Sequence, residues 1–285
     1  TTRADPSRMR SLICPMVLCM PRYSVFRIFK IIVITYGNKC DFNHCRQIFS
    51  MHVSAFIEEM EQLAPPCLAE DFDAGKIGLI VEGKNKVDKV CCALDATPSV
   101  VKRAVAAHAG MLLVHHTPLW TPLTSLTGPT AALMRDVLAS GLNIYVMHTN
   151  FDHAECGVND ALAELLSLEN TEPLALGLVG DCPLSLSGIA RRLGCPVRVW
   201  GKIQKPERLA VVGGSGFDPA LLSEAVERGA RAFLSSELKH AVFRASPLPC
   251  IEATHYALEA PAMKRLAAQK GWQFIDDAPV LKSVP

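Results

Sequence analysis

The chain has 285 residues, 49% of them hydrophobic and 20% charged, with a formal net charge of +1. That length suffices for one large or two small cored domains, and that balance argues against nucleic acid or an anionic membrane as the main partner. The charge is uneven: residues 1–50 hold eight Lys/Arg against two Asp/Glu, and the rest 21 against 26.

Residues 1–50 show no clean helical or strand period. Val25 to Tyr36 is apolar but is interrupted by Arg27 and Lys30. It is too short to span a bilayer, and it lacks the small-residue cleavage site of a secretory signal. We expect this segment to be a non-native or disordered extension, with Met51 as the natural first residue. The 11 cysteines are an odd number without a framework spacing, so we expect reduced thiols and a cytoplasmic protein. Cys40, His44 and Cys45 lack the second ligand pair that a zinc site needs.

From Val53 the pattern becomes regular. Val53 to Leu63 reads as a helix, with Phe56, Met60 and Leu63 on one face and Pro65-Pro66 stopping it. Val90–Leu94 reads as a buried strand. Thr97 and Pro98 are a cap and first-turn proline, the helix runs to Gly110, and Met111–Val114 is the next strand, closed by His115-His116. Ala131–Ser140 is a helix ended by Gly141, and Asn143–Met147 a strand ended by His148. Asn159–Leu168 is a further helix. Short strands are expected at Leu176–Val179 and Val197–Trp200, with Ser187 capping a helix through Leu193.

A second unit then repeats the first. Leu209–Val212 is a strand, Gly213-Gly214-Ser215-Gly216 a turn, Asp218-Pro219 a cap and proline, and Ala232–Leu234 a strand closed by Glu237 and His240. The tail is a helix over Leu258–Gln269 and a strand near Trp272–Ile275. The expected fold is α/β and two-lobed. Duplicated βαβ units build mixed and parallel sheets with right-handed crossovers, and a metal site lies in the cleft between the lobes. Residues 51–168 form the first lobe and 169–247 the second, while 248–285 return to the first.

Three segments carry candidate chemistry. His115 and His116 end a strand. Neighbouring strand side chains point to opposite faces, so both reach one cleft only if the chain turns at Thr117-Pro118. Asp152 follows His148 in a loop after the next strand, where a carboxylate can bridge two ions, with His148, Asn150 and Asn159 orienting ligands. His255 and Glu259 are four residues apart, on one helical face. Each segment alone has an ordinary reading: a core and a surface histidine, turn and cap residues, a solvated pair. Together, at strand ends and a helix start, they point to divalent metal of the Zn, Fe, Mn, Co or Ni kind rather than Ca. Glu237 and His240 are candidate acid–base groups. The Gly213–Gly216 turn either cradles phosphate or merely makes a tight connection.

Leu112 to Pro118, His148 to Asp152, Gly157 to Asp160 and Thr254 to Glu259 together resemble the Nif-three-like family of dinuclear-metal proteins, often labelled type 2 GTP cyclohydrolase I homologues. The likeness covers about residues 53–280. It implies two metal ions held by His115, His116, Asp152, His255 and Glu259, and a homohexamer. Two elements depart from the family pattern: Phe72-Asp73-Ala74 replaces Trp-Asp-Asn, and Ser236-Glu237 replaces Gly-Asp. The expected activity is metal-dependent hydrolysis of a nucleotide or phosphoester-like small molecule. The alternatives are a non-catalytic metal-binding assembly, chaperone or regulatory protein, and a nucleotide-binding module built on the Gly213–Gly216 turn.

Overall fold

The computed structural model describes residues 50–282. The expected N-terminal extension (its last residue apart) and the Cys40, His44, Cys45 cluster lie outside the described residues.

The chain enters through β1 (Met51–His52) and α1 (Val53–Leu63), with the His52 ring accepting from the Ser54 amide as the N-cap. Two 3-10 turns follow, at Pro66–Leu68 and Asp71–Asp73. Then come β2 (Gly78–Val81), β3 (Lys86–Val87), β4 (Val90–Asp95), α2 (Pro98–Ala106), β5 (Met111–His116), α3 (Gly128–Ser140) and β6 (Asn143–Val146). The short α4 (Thr149–His153) and α5 (Val158–Leu165) lead to β7 (Glu169–Pro173), β8 (Leu178–Asp181), α6 (Leu186–Leu193) and β9 (Arg198–Trp200). The second repeat is β10 (Arg208–Val211), α7 (Pro219–Glu227) and β11 (Ala232–Ser235). After it come α8 (His240–Ala245), β12 (Cys250–Glu252), α9 (His255–Lys270) and β13 (Gln273–Phe274).

Two larger sheets result, alongside a small β1–β3 ribbon. The first has the order β13-β4-β5-β6-β2, parallel except at the β2 edge. The second has the order β7-β8-β10-β11-β12-β9, with a parallel centre of β10, β11 and β12 and antiparallel edges. Both expected strand–helix–strand units are present, as β4–α2–β5 and β10–α7–β11. Each opens its helix with the expected cap, Thr97 or Asp218, and a proline at the first turn.

The strands read as unbroken apolar runs because both faces are covered. In the first sheet, Cys91, Ala93, Leu112 and Ile144 pack with Val100 of α2 and Val137 of α3. Their neighbours Cys92, Leu113 and Tyr145 pack with Phe56 and Met60 of α1 and Met263 of α9. In the second sheet, Ala210 and Phe233 meet Leu222 of α7, while Leu209, Val211 and Leu234 meet Ile189 of α6 and Leu258 of α9.

Helices α5 and α9 therefore serve both cores: Val158 and Met263 enter the first, Leu162 and Leu258 the second. The buried Leu258 side chain is worth about 2–5 kcal/mol against truncation to alanine. It anchors the end of α9 that carries His255 and Glu259.

Several local expectations are corrected. Helix α2 stops at Ala106, short of Gly110, because His108 takes a left-handed φ of 56°. Ser185, not Ser187, caps α6 by accepting from the Gly188 amide. Helix α5 closes at Leu165, and Ser167 is left-handed with φ 55°. The return to the first sheet follows β12 rather than residue 248, since Cys250–Glu252 still pairs with β11.

Candidate metal centre

The polar groups gather beyond the carboxyl ends of the strands, where ligands collect in such sheets. Strand β4 ends on Asp95, and β5 ends on His115-His116. Strand β6 leads to His148 and through α4 to Asp152, β10 leads to the Gly213–Gly216 turn, and β11 leads to Glu237. The start of α9, capped by Thr254, adds His255 and Glu259.

The five residues expected to hold metal come together. His115 Nε2 lies 3.5 Å from Asp152 Oδ1 and 3.7 Å from Glu259 Oε1. The other oxygen of Glu259 lies 3.1 Å from His116 Nε2 and 2.9 Å from His255 Nε2. The His115 and His116 rings are 4.9 Å apart at 59°, with β5 ending at His116, just before Thr117. Three sets of side chains are close enough to hold an ion: His115, Asp152 and Glu259; His116, His255 and Glu259; and His115, His116 and His148. Glu259 belongs to two of these sets and Asp152 to one. The sequence suggested Asp152 as a bridging carboxylate; in the structure Glu259 is the carboxylate whose two oxygens face both histidine groups, while Asp152 faces His115.

The site fits a metal by its own chemistry. Among the described residues, His115 Nδ1 and Nε2, Asp152 Oδ1, His255 Nε2 and Glu259 Oε2 are all buried without a hydrogen-bond partner. Unsatisfied buried polar atoms cost about 1–3 kcal/mol each, so a cluster of them marks missing partners. Imidazole and carboxylate donors suit Zn, Fe, Mn, Co or Ni.

The outer partners set the ring orientations. Asp95 Oδ1 meets His116 Nδ1 at 2.7 Å, Glu237 Oε1 meets His255 Nδ1 at 2.8 Å, and Asp73 Oδ1 meets His148 Nδ1 at 2.8 Å. A carboxylate on Nδ1 leaves Nε2 as the free ligand atom. Asp73 is fully buried and also accepts from the amide and hydroxyl of Thr149. Sequence reading met Asp73 only as part of a departure from the family pattern, and it missed Asp95. A signal for Asp95 existed, since parallel β4–β5 pairing puts it opposite His116.

Asn159 donates to the Asp152 carbonyl at 3.0 Å and accepts from the Gly213 amide at 2.8 Å, tying α5 to the glycine turn. Asn150 accepts from the His148 amide and donates to the Ala64 carbonyl. Glu237, with φ 60°, is an orienting partner of His255. His240 opens α8, is exposed, and rests against Phe243 at 6.2 Å. Among the described residues, no hydrogen bond, ion pair or ring contact joins it to the cluster.

The glycine turn also has a structural reason. A Cβ on Gly213 would meet Val158, and one on Gly214 would run into Glu259. The Gly216 amide is already used by Ser235 Oγ. The turn is glycine-rich because it packs against the carboxylate that both sets share.

Protonation follows from this crowding. Burial pulls His116 and His255 down, but their carboxylate partners outweigh it and hold them at about 10 and about 9. Burial and the neighbouring His115 lower His148 to about 4. Burial raises Asp152, whereas the three histidines around Glu259 overcome its burial and hold it well below the usual carboxylate range.

The profile of the Duf34/NIF3 (NGG1p interacting factor 3) family matches residues 51–275. The chain belongs to the NIF3 family. Proteins named GTP cyclohydrolase 1 type 2 homolog are similar to it. The one from Pyrococcus horikoshii is 32% identical over 68% of this chain and 84% of its own length, and the one from Methanocaldococcus jannaschii 33% over 75% and 93%. Among solved structures, reduced HcgD from Methanocaldococcus jannaschii superposes with a TM-score of 0.70 at 28% identity, covering 80% of this chain and 98% of that one. TTHA1606 from Thermus thermophilus superposes at 0.66, also at 28% identity, covering 81% and 100%. Among the described residues of this NIF3 chain, no helix is long and apolar enough to cross a membrane.

Proposed function

We propose that this chain is a two-metal hydrolase. In this reading His115, Asp152 and Glu259 hold one divalent ion, and His116, His255 and Glu259 hold the other. The observation that carries the reading is the convergence of buried nitrogen and oxygen atoms, partnerless among the described residues, from three separate segments. Bound ions would supply Lewis acidity, polarising the group to be cleaved and making water a competent nucleophile near neutral pH.

The chain's own residues do the rest. Asp95 and Glu237 hold the imidazoles of His116 and His255 with Nε2 inward. Asp73 does the same for His148, which adds a further candidate nitrogen beside His115 and His116. Asn159 fixes the α4 backbone that presents Asp152. The relatives' name makes a guanine nucleotide the first substrate to try, followed by other nucleotides and phosphoesters. Assembly as a homohexamer belongs to the same reading and is checked by mass measurement in solution.

The test joins elemental analysis of native protein to that substrate panel, with Zn, Fe, Mn, Co and Ni supplied in turn. About two ions per chain and turnover of at least one substrate are expected. Two ions without any turnover would move the reading to a metal-holding assembly or carrier protein, and absence of metal would end it.

A further inference from the structure

Two adjoining cavities open beside the cluster. One, of about 440 Å³, is bordered by Asp95, Thr97, Trp120 and the rings of His116 and His255. The other, of about 580 Å³, shares Asp95, Thr97 and both histidines and extends to Tyr256 and Asp277. Among the described residues, neither is lined by lysine or arginine. Their acidic walls are Asp95, which borders both, and Asp277, which borders the second, and each has an oxygen to spare among the described residues. Asp95 uses Oδ1 on His116, and Asp277 uses Oδ2 on the Thr97 hydroxyl.

Among the described residues, Trp120 is the one large aromatic plane bordering the first cavity. It is 44% exposed, an unusual cost for an indole with no role in the core. Its ring stands edge-on to His148 at 5.1 Å and lies 6.5 Å from His116. Lys76 sits over this ring at 5.6 Å, but its ammonium donates to the Phe72 carbonyl at 2.7 Å. Lys76 thus braces the indole instead of offering charge to the cavity.

A phosphate or polyphosphate entering here would meet two carboxylates and, among the described residues, no lysine or arginine; the basic groups on the walls are His116 and His255, whose Nδ1 atoms are already paired with Asp95 and Glu237. A flat ring with N–H donors meets a stacking surface and two acceptors. We propose that Trp120 is the platform on which a nitrogen heterocycle of the purine or pyrimidine kind stacks beside His116 and His255, with Asp95 and Asp277 accepting its N–H groups. The proposal rests on the metal-site reading for the fate of the ring, but its seating needs no turnover. It places the base, and not the phosphates, of any nucleotide at the centre.

The test is calorimetric binding to the purified, metal-containing protein, with guanosine, adenosine, cytidine and inorganic phosphate as probes. At least one nucleoside should bind at least tenfold more tightly than phosphate. Trp120→Ala should weaken that nucleoside roughly tenfold or more, and Trp120→Phe should stay within about threefold. Metal content should be unchanged in both variants. Phosphate binding as tightly as every nucleoside, or Trp120→Ala binding like the parent, would overturn the proposal. Nucleoside binding without turnover supports the platform and removes the hydrolase reading. Phosphoester turnover without nucleoside binding does the reverse.

Discussion

Gly214 and Glu259, 45 positions apart in the chain, are packed so closely that a single methyl group on the first would strike the carboxylate of the second. Gly214 has φ +66°, so a side chain there carries a backbone cost of about 1–2 kcal/mol as well. Its hypothetical Cβ would also lie 3.3 Å from His255 Nε2. We expect Gly214→Ala to keep the fold, with a modest loss of thermal stability, and to lose most of the bound metal. Circular dichroism with elemental analysis checks this. Full metal content in a folded Gly214→Ala protein would contradict the close packing.

The sharing of Glu259 predicts an asymmetry between the two buried carboxylates. Glu259 faces His115 with one oxygen and His116 and His255 with the other. Asp152 faces His115 alone among these. Glu259→Gln should therefore empty both places, leaving close to no metal. Asp152→Asn should leave about one ion per chain. Equal stoichiometry in the two variants would show that the carboxylates are equivalent.

How far this site could be read in the sequence differs residue by residue. The convergence of His115, His116, Asp152, His255 and Glu259 was legible because their three segments lie just past strand ends or at the start of a helix, and such ends converge in parallel α/β sheets. The βαβ units were legible from cap, proline and apolar run. Asp73 was not, because it lies in a 3-10 turn without periodicity, and only tertiary packing brings it to His148. Strand β7 was hidden for a related reason: all five of its residues are exposed, so neither an apolar run nor alternation marks it. His108 stayed invisible as a helix terminator because a left-handed histidine leaves no trace in hydrophobic spacing. The role of Glu237 shifted from acid–base candidate to partner of His255, a distinction that rests on the 2.8 Å between Oε1 and Nδ1.

That distance makes its own prediction. Carboxylates on the far nitrogen of a ligand histidine orient the ring and raise its basicity, and removing them costs about 10–100-fold in metal affinity. Glu237→Gln and Asp95→Asn should each weaken metal binding by that order when measured by competition with a chelator. Saturating metal should restore whatever turnover the parent shows. His240→Ala, on exposed α8, should leave affinity unchanged. A loss for His240→Ala as large as for Glu237→Gln would return His240 to the centre.

The last expectation concerns pH. In the metal-free site the carboxylates around His116 and His255 outweigh burial and raise them to about 10 and about 9. A raised histidine stabilises the fold fully below its unfolded value of about 6.5, and that contribution fades as pH climbs through the folded value. Asp152, raised to about 7, works in the same direction but at lower pH, its contribution fading by about neutral. Metal-free protein should thus lose stability as pH rises from near neutral towards about 10. Metal binds only the deprotonated nitrogens, so protons and ions compete and binding releases protons. The rise in Tm on adding metal should therefore be larger at about pH 9 than at about pH 6. With metal at about a hundred times its Kd the gain is about 2.7 kcal/mol, or roughly 5–10 °C for a domain of this size. Calorimetry in buffers of different ionisation enthalpy should count the released protons. A metal-induced Tm gain that is flat across that range, with no proton release, would mean that His116 and His255 are not displaced from their protonated state by the ion.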